Sequence, residues 1–200
     1  MNIRRWTARA LVACLVAAGT VVGVTSPAQA ALWQLSDGFE GDPASRWSCW
    51  HTEEHWGNQC GFVIGHSDWP ADIRPRTGEN RGSLSVASGW SDMGRSVRLT
   101  PFLSGRTLNC AAAMYVKHHA GTNNNVSGQL EVIDVATWTY VSIKPFTLTN
   151  ADIGQWRKIV TANWIPPRRD VFVRIGLIGD SDPYLDTVQL DDAVVQCQYF

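Results

Sequence analysis

From residue 31 onward the apolar side chains recur with period two, in short runs closed by Gly, Pro, Asn and Asp, and helical spacing is almost absent. That pattern restricts the chain to strands that each bury one face. Leu84 and Val86 share one side of run 83–87, Val97 and Leu99 of run 96–99, Met114 and Val116 of run 111–117. Leu130, Val132 and Asp134 do the same in run 129–135, and runs 140–146, 157–164, 171–178 and 187–196 complete the set. In 170–179 the apolar residues alternate and then thicken, the pattern of a central strand. Turn residues at 121–125, 166–167 and 179–183 separate the runs. Many strands, polar turns and no crossover helices predict an all-β antiparallel sandwich, one domain over 31–200.

The first thirty residues are of another kind. Arg4, Arg5 and Arg9 precede an uncharged apolar run over 11–24, and Ala28 and Ala30 then offer an A-x-A cleavage site. Residues 1–30 therefore read as a helical secretory signal peptide. The run is shorter than the roughly 20 apolar residues of a spanning helix. No later stretch is long and apolar enough to span a bilayer, so the mature chain is expected to be secreted and free of transmembrane segments. Processing removes three of the 17 basic residues and leaves 14 against 18 acidic ones, a net charge of about −4. An acidic chain without a basic face argues against a nucleic-acid partner. Cys14 leaves with the signal, and Cys49, Cys60, Cys110 and Cys197 remain. An even count in an exported chain favours disulfides over metal ligands. Three pairings are open. The expected ones are Cys49 with Cys60 and Cys110 with Cys197, the second closing a long loop at a gain of about 4 kcal/mol in the chain-entropy model.

Residues 44–82 are rich in Trp, His, Gly and Pro and show little periodicity. A stretch of that length is either a functional loop or a strand pair decorated by a disulfide-closed hairpin. Within it, His51-Thr-Glu-Glu-His55 fits the H-x-x-E-H pattern of inverted zinc peptidases. That chemistry needs a helix to turn both histidines toward one metal, and a short loop between cysteines opposes one. The surroundings of Cys49 and Cys60 echo a cysteine nucleophile in the wrong order, and bridges explain them better. His118 and His119 read as an exposed hairpin end. Glu53 with Glu54, or Asp180, Asp182 and Asp186, offer carboxylates for a glycoside-cleaving pair, although the latter cluster fits an Asx turn equally well.

A run of short motifs carries a family resemblance. Asp37-Gly-Phe-Glu40 is followed by Trp47, then by Gly82-Ser-Leu-Ser-Val86 and Ala113-Met-Tyr-Val-Lys117. Gly154-Gln-Trp-Arg-Lys-Ile159, Val171-Phe-Val-Arg-Ile175 and Leu190-Asp-Asp-Ala-Val-Val195 complete the order. It resembles the jelly-roll carbohydrate-binding modules of bacterial xylanases and cellulases, within the galactose-binding-like sandwiches. The resemblance covers most of the mature chain and is poorest over 46–81. It implies a structural Ca²⁺ where first and last strands meet, held by the Gly38 carbonyl, Glu40, and Asp191 or Asp192, with Gly82 or Glu79 adding an oxygen. Such a mix of carboxylates and carbonyls suits a hard cation. One of Asp191 and Asp192 must point inward, where an unpaired carboxylate is costly.

Nine of the ten tryptophans lie beyond residue 30, more than a domain of this size buries completely. Trp156 sits where the family places a core aromatic, and Trp33, Trp47 and Trp164 read as core. Trp50, Trp56, Trp69 and Trp90 stand in turn-rich surroundings and Trp138 in a polar strand, and these five are the candidates to face a ligand. An indole covers the apolar face of a sugar ring while nearby polar groups take its hydroxyls. The expectation is a secreted, monomeric jelly-roll β-sandwich that binds a polysaccharide or cell-wall glycan without altering it. The alternatives are a small secreted polysaccharide hydrolase or lyase, and an extracellular protein-binding adaptor.

Overall fold

The computed structural model describes residues 32–52, 57–65, 70, 73–100, 108–119, 125–180 and 185–199. The signal reading of 1–30 lies outside them, as do Trp56, Trp69, His55, Glu53, Glu54 and Asp182. Among the described residues, eleven strands form two sheets. In the six-stranded sheet β3 (Gln59–Val63), β4 (Arg81–Val86), β11 (Asp186–Tyr199), β6 (Leu108–His118) and β9 (Trp156–Val160) lie in that order, and β1 (Leu32–Asp37) also pairs with β11. The five-stranded sheet runs β2 (Ser48–His51), β5 (Ser88–Arg98), β10 (Asp170–Asp180), β7 (Val126–Asp134), β8 (Thr139–Leu148). All pairs of named strands are antiparallel. No helix among the described residues is long and apolar enough to cross a membrane.

Most of the period-two runs become strands because they send their apolar set between the sheets, whereas edge run 140–146 leaves Tyr140 and Ile143 outside. Leu84, Val86, Met93, Met114, Leu130, Ile175 and Leu190 are completely buried between the sheets. Each large side chain contributes about 1.5–3 kcal/mol of hydrophobic stabilisation. Run 170–179 is the central strand its thickened pattern predicted, with β5 on one side and β7 on the other. Run 157–164 stops earlier as a strand, at Val160, and Trp164 returns through a single bridge to Cys110. Sequence periodicity missed β1, β2, β3 and the first half of β5: β1 buries its Trp33 and Leu35 only in part, and the other three mix Trp, Cys and Gly with polar residues and show no clean apolar alternation.

β11 is long enough to serve two neighbours on one side. Residues 186–190 pair with β4 and residues 193–198 with β1. The change of partner falls at a bulge between Asp191 and Val194, where Asp192 takes a φ of 45°. Past β1 the chain turns at Phe39, whose amide donates to Asp37 Oδ1, and the Phe39 ring stacks on Trp47 at 4.9 Å. Trp47 Nε1 and Arg46 Nε donate to Asp37 Oδ2, and Arg95 pairs with the same oxygen. Burial alone would raise the Asp37 pKa, but the Arg46 hydrogen bond, the Phe39 amide and Arg95 outweigh it and hold it below the ordinary value.

Cys110 and Cys197 face each other across β6 and β11 and are bonded, deep in the core. Cys49 and Cys60 are bonded as well, but β2 and β3 are not a hairpin. The two strands lie at the edges of different sheets, and the disulfide clips those edges together.

Candidate functional site

The outer face of the five-stranded sheet follows from register. Val171, Val173, Ile175 and Leu177 of β10 point into the core, so Phe172, Arg174, Gly176 and Ile178 point out. Opposite them stand Ser96, Gly94, Asp92 and Trp90 on β5, and Ile133, Glu131, Gln129 and Ser127 on β7. Ser48 and Trp50 of β2 continue the face beyond β5, and Tyr140, Ile143 and Pro145 of β8 continue it beyond β7.

Two glycines let aromatic rings settle onto this floor. A Cβ on Gly176 would lie 2.1 Å from Trp90 Cζ2 and 2.6 Å from Cε2, so the indole occupies the space a side chain would need. A Cβ on Gly94 would lie 2.4 Å from Phe172 Cε1. Trp138, in the turn between β7 and β8, packs its ring 5.9 Å from that of Phe172 and is 65% exposed. Trp50 is 57% exposed and Tyr140 54%. Beside Phe172, a hollow of about 520 Å³ opens between Ser48, Ser96 and the chain at 44–47.

Between the rings the floor is polar and tightly paired. Arg174 Nε donates to Glu131 Oε2 at 2.6 Å, and Arg174 Nη1 lies 3.5 Å from Asp92 Oδ2. Asp92 Oδ2 also accepts from Trp90 Nε1 at 2.5 Å, and Glu131 Oε1 accepts from Gln129 Nε2 at 2.6 Å. The Arg174 guanidinium stands 5.4 Å from the Trp90 ring centre. Burial opposes the Arg174 charge, but the Glu131 hydrogen bond and Asp92 outweigh it, and the guanidinium pKa is raised. Asp92 goes the other way. Burial raises its pKa despite the Trp90 hydrogen bond and Arg174, because Arg174 is spent mainly on the nearer Glu131.

Trp50, Trp90 and Trp138 come together on this face. Trp47 and Trp164 are buried, and Trp33 packs against the core. Trp156 is half-buried on β9 with Lys117 Nζ 4.6 Å from its ring centre. His51 ends an extended strand, not a helix, so the H-x-x-E-H geometry is not set up at its first residue. Asp180 and Asp186 lie at the end of β10 and the start of β11. His118 is a correction: it is completely buried, with Nδ1 3.1 Å from the Thr149 carbonyl, and is no exposed hairpin end. Sequence reasoning missed Asp92, Gln129, Glu131, Arg174, Phe172 and Tyr140. The signal available was a set of interior strand glycines, 94 and 176, each marking a close approach.

No model of a known family matches this chain, and no curated protein does. Solved structures do. TmCBM61, determined in complex with β-1,4-galactotriose, is 12% identical with a TM-score of 0.56, over 79% of this chain and 92% of that one. The C-terminal family 22 carbohydrate-binding module of Clostridium thermocellum Xyn10B is 15% identical with a TM-score of 0.53, over 80% and 90%. The CBM22-1 xylan-binding domain of Paenibacillus barcinonensis Xyn10C is 14% identical with a TM-score of 0.52, over 82% and 92%. The fold is that of the carbohydrate-binding β-sandwiches.

The family resemblance implies calcium where the first and last strands meet, and Gly38, Asp191 and Asp192 gather there, at the bulge of β11. A Cβ on Gly38 would lie 3.2 Å from Asp192 Oδ1 and 3.8 Å from Asp191 Oδ1, and one on Gly78 would meet Glu40. Gly82, by contrast, turns toward Met93 and Leu190 in the core. All the carboxylate oxygens of Asp191 and Asp192, and Oε1 of Glu40, accept from donors of the protein. Asp191 Oδ2 accepts from the Arg76 and Thr77 amides, and Asp191 Oδ1 from the Asp192 amide. Glu40 Oε1 accepts from the Glu79 and Asn80 amides. Asp192 pairs with the Arg76 guanidinium and accepts from Thr77 Oγ1 at 2.7 Å. Arg81, 5% exposed, adds a second guanidinium: burial lowers its pKa, and the Asp191 charge only partly opposes the fall. A calcium shell needs converging lone pairs, and here N–H groups and two arginines converge instead. This donor set does not fit a resident calcium.

Proposed function

We propose that this protein is exported and binds a glycan on the outer face of the five-stranded sheet without cleaving it. One observation carries the reading: Trp90 and Phe172 pack onto Gly176 and Gly94, with the paired polar floor of Arg174 between them. Apolar platforms beside fixed hydrogen-bonding groups are what a sugar needs, since each ring of a glycan presents a C–H face and a rim of hydroxyls. The exposed Trp50, Trp138 and Tyr140 widen the same surface. A fold shared with carbohydrate-binding modules supports the reading, at the level of the fold.

Binding is favoured over cleavage for a chemical reason. A glycosidase presents an acid and a base or nucleophile to the scissile bond. The two carboxylates of this floor, Asp92 and Glu131, are 5% and 0% exposed and are turned onto Arg174, Trp90 and Gln129. Export is supported by the signal pattern of residues 1–30 and by the two disulfides, which belong to an oxidising compartment. We also propose that the mature chain is a jelly-roll monomer beginning at Ala31.

A glycan array probed with the secreted chain and with Trp90→Ala tests the function. Binding to at least one polysaccharide, weakened at least thirtyfold in the variant, is expected, the ordinary size of a buried aromatic anchor. Silence across the whole array refutes the reading. Release of reducing ends from a bound polysaccharide refutes the non-catalytic part. Mass spectrometry of the secreted chain checks the cleavage site.

A further inference from the structure

We infer that Glu131 is a buried positioning residue that makes this face select uncharged glycans over acidic ones. The inference rests on the glycan-binding reading above and adds to it the charge of the ligand. An unpaired arginine on a binding floor is a hook for carboxylates, because its fork of N–H donors matches their two oxygens. Arg174 is denied that role. Its Nε is taken by Glu131, and Asp92 stands beside its Nη1. The floor therefore holds two carboxylates against one guanidinium.

Glu131 does more than neutralise. It is completely buried in the middle of the face, flanked by Arg174 on one neighbouring strand and Ile143 on the other. Its second oxygen draws down the Gln129 amide nitrogen, which leaves the Gln129 carbonyl oxygen as the acceptor free for a ligand. One carboxylate thus orients both polar groups beside the Trp90 platform. A sugar hydroxyl donates and accepts and can satisfy either group. The carboxylate of a uronate offers only acceptors and meets a floor with a net negative charge, where like-charge contact is strongly unfavourable.

The test is affinity electrophoresis of the mature chain in gels holding a neutral polysaccharide that it binds on the array, or polygalacturonate. The wild-type chain is expected to bind the neutral polymer at least tenfold more tightly than polygalacturonate. Glu131→Gln keeps the shape and removes the charge, so it should weaken neutral binding about tenfold and narrow that ratio at least threefold. A residue that only supported the fold would weaken both polymers alike. Circular dichroism establishes that the variant is folded; if it is not, Asp92→Asn, which removes the other negative charge, must narrow the ratio instead. Equal wild-type binding to both polymers overturns the inference and leaves the glycan reading standing, as does a folded variant with unchanged selectivity. No binding to any array polysaccharide overturns both.

Discussion

Both outer faces of the sandwich carry charged residues in the middle of strands, and they deal with them in opposite ways. On the five-stranded sheet the charges pair sideways, Glu131 and Asp92 onto Arg174, and aromatic rings rather than backbone lie over the floor. On the six-stranded sheet Lys117, Gln189 and Asp191 stand at equivalent outward positions and are completely buried. There the chain at 73–80 forms a roof. Lys117 Nζ donates to the Arg74 carbonyl, Asp191 receives the Arg76 and Thr77 amides, and Arg76 lies 3.7 Å over the Tyr115 ring. The difference shows why a charged strand residue does not by itself mark a binding face. What distinguishes the two is whether main chain or only side chains cover the charge, because side chains can yield to a ligand and a hydrogen-bonded roof cannot.

That contrast is broken most sharply by changing one residue on each side. Gly176→Val puts a branched side chain where the Trp90 indole now rests, which must lift the ring and its Asp92 bond off the floor. Glycan affinity is expected to fall a hundredfold or more, about 3 kcal/mol, with a much smaller loss of stability by thermal melting. Lys117→Ala should do the reverse. It removes the donor to the Arg74 carbonyl and the cation over Trp156 and leaves a void beneath the roof. A cost of about 2–4 kcal/mol is expected, lowering the melting temperature by about 10 °C, while the folded fraction keeps its affinity. If the lysine variant loses affinity at unchanged stability, the two faces are not separate in function.

The strands that obey clean alternation were legible in the sequence, among them the central position of β10, together with both disulfides. Three aromatics of the proposed face were conspicuous as well: Trp50 and Trp90 as bulky residues among turn formers, and Trp138 in a polar stretch. Arg174, Glu131 and Asp92 were not legible, for a physical reason. Alternation says that a residue points away from the core but not whether the chain later returns to cover it, and in sequence Glu131 is indistinguishable from Asp191. Their pairing depends on β5, β10 and β7 lying side by side, a long-range fact. Segment 46–81, where the resemblance is poorest, holds both the Trp50 edge of the site and the roof of the opposite face, so its lack of periodicity reflects two jobs divided along one stretch.

The roof also sets a pH response. Burial drives the Asp191 pKa up to about 7, against the Thr77, Arg76 and Asp192 amides and with the Asp192 charge adding to the rise. A folded-state pKa above the unfolded value means that the native protein holds the proton more tightly. Stability is then fully present below about pH 4 as far as this group is concerned, and declines as pH rises toward 7. Asp37 works oppositely: its lowered pKa stabilises above about pH 4 and is lost in acid. With Arg76, Arg81, Asp192 and Glu40 as the charges around Asp191, Asp191→Asn should flatten the decline in melting temperature between pH 4 and 7. Chelator should change neither profile, since the carboxylates are satisfied by N–H donors; a drop of more than a few degrees with chelator would restore calcium to the bulge.

The smallest effect expected concerns the two disulfides, which divide along the same lines. Cys110 and Cys197 are each 1% exposed, whereas Cys49 is exposed at the edge of the proposed binding face, next to Trp50. Thiolate attack requires access to sulfur, so mild reductant should open Cys49–Cys60 first, as thiol labelling followed by peptide mapping will show. The loop so released is short, with a separation of 11 residues against 87 for the core bridge, and it costs the smaller share of stability. β2 keeps its pairing with β5 and its Thr52 and Ser48 bonds to Trp90 and Gly94. Trp50 is therefore loosened but not lost, and glycan affinity should fall only two- to threefold, about 0.5 kcal/mol. Complete loss of binding would mean that the edge strand, and not the Trp90 and Phe172 platforms, carries the site.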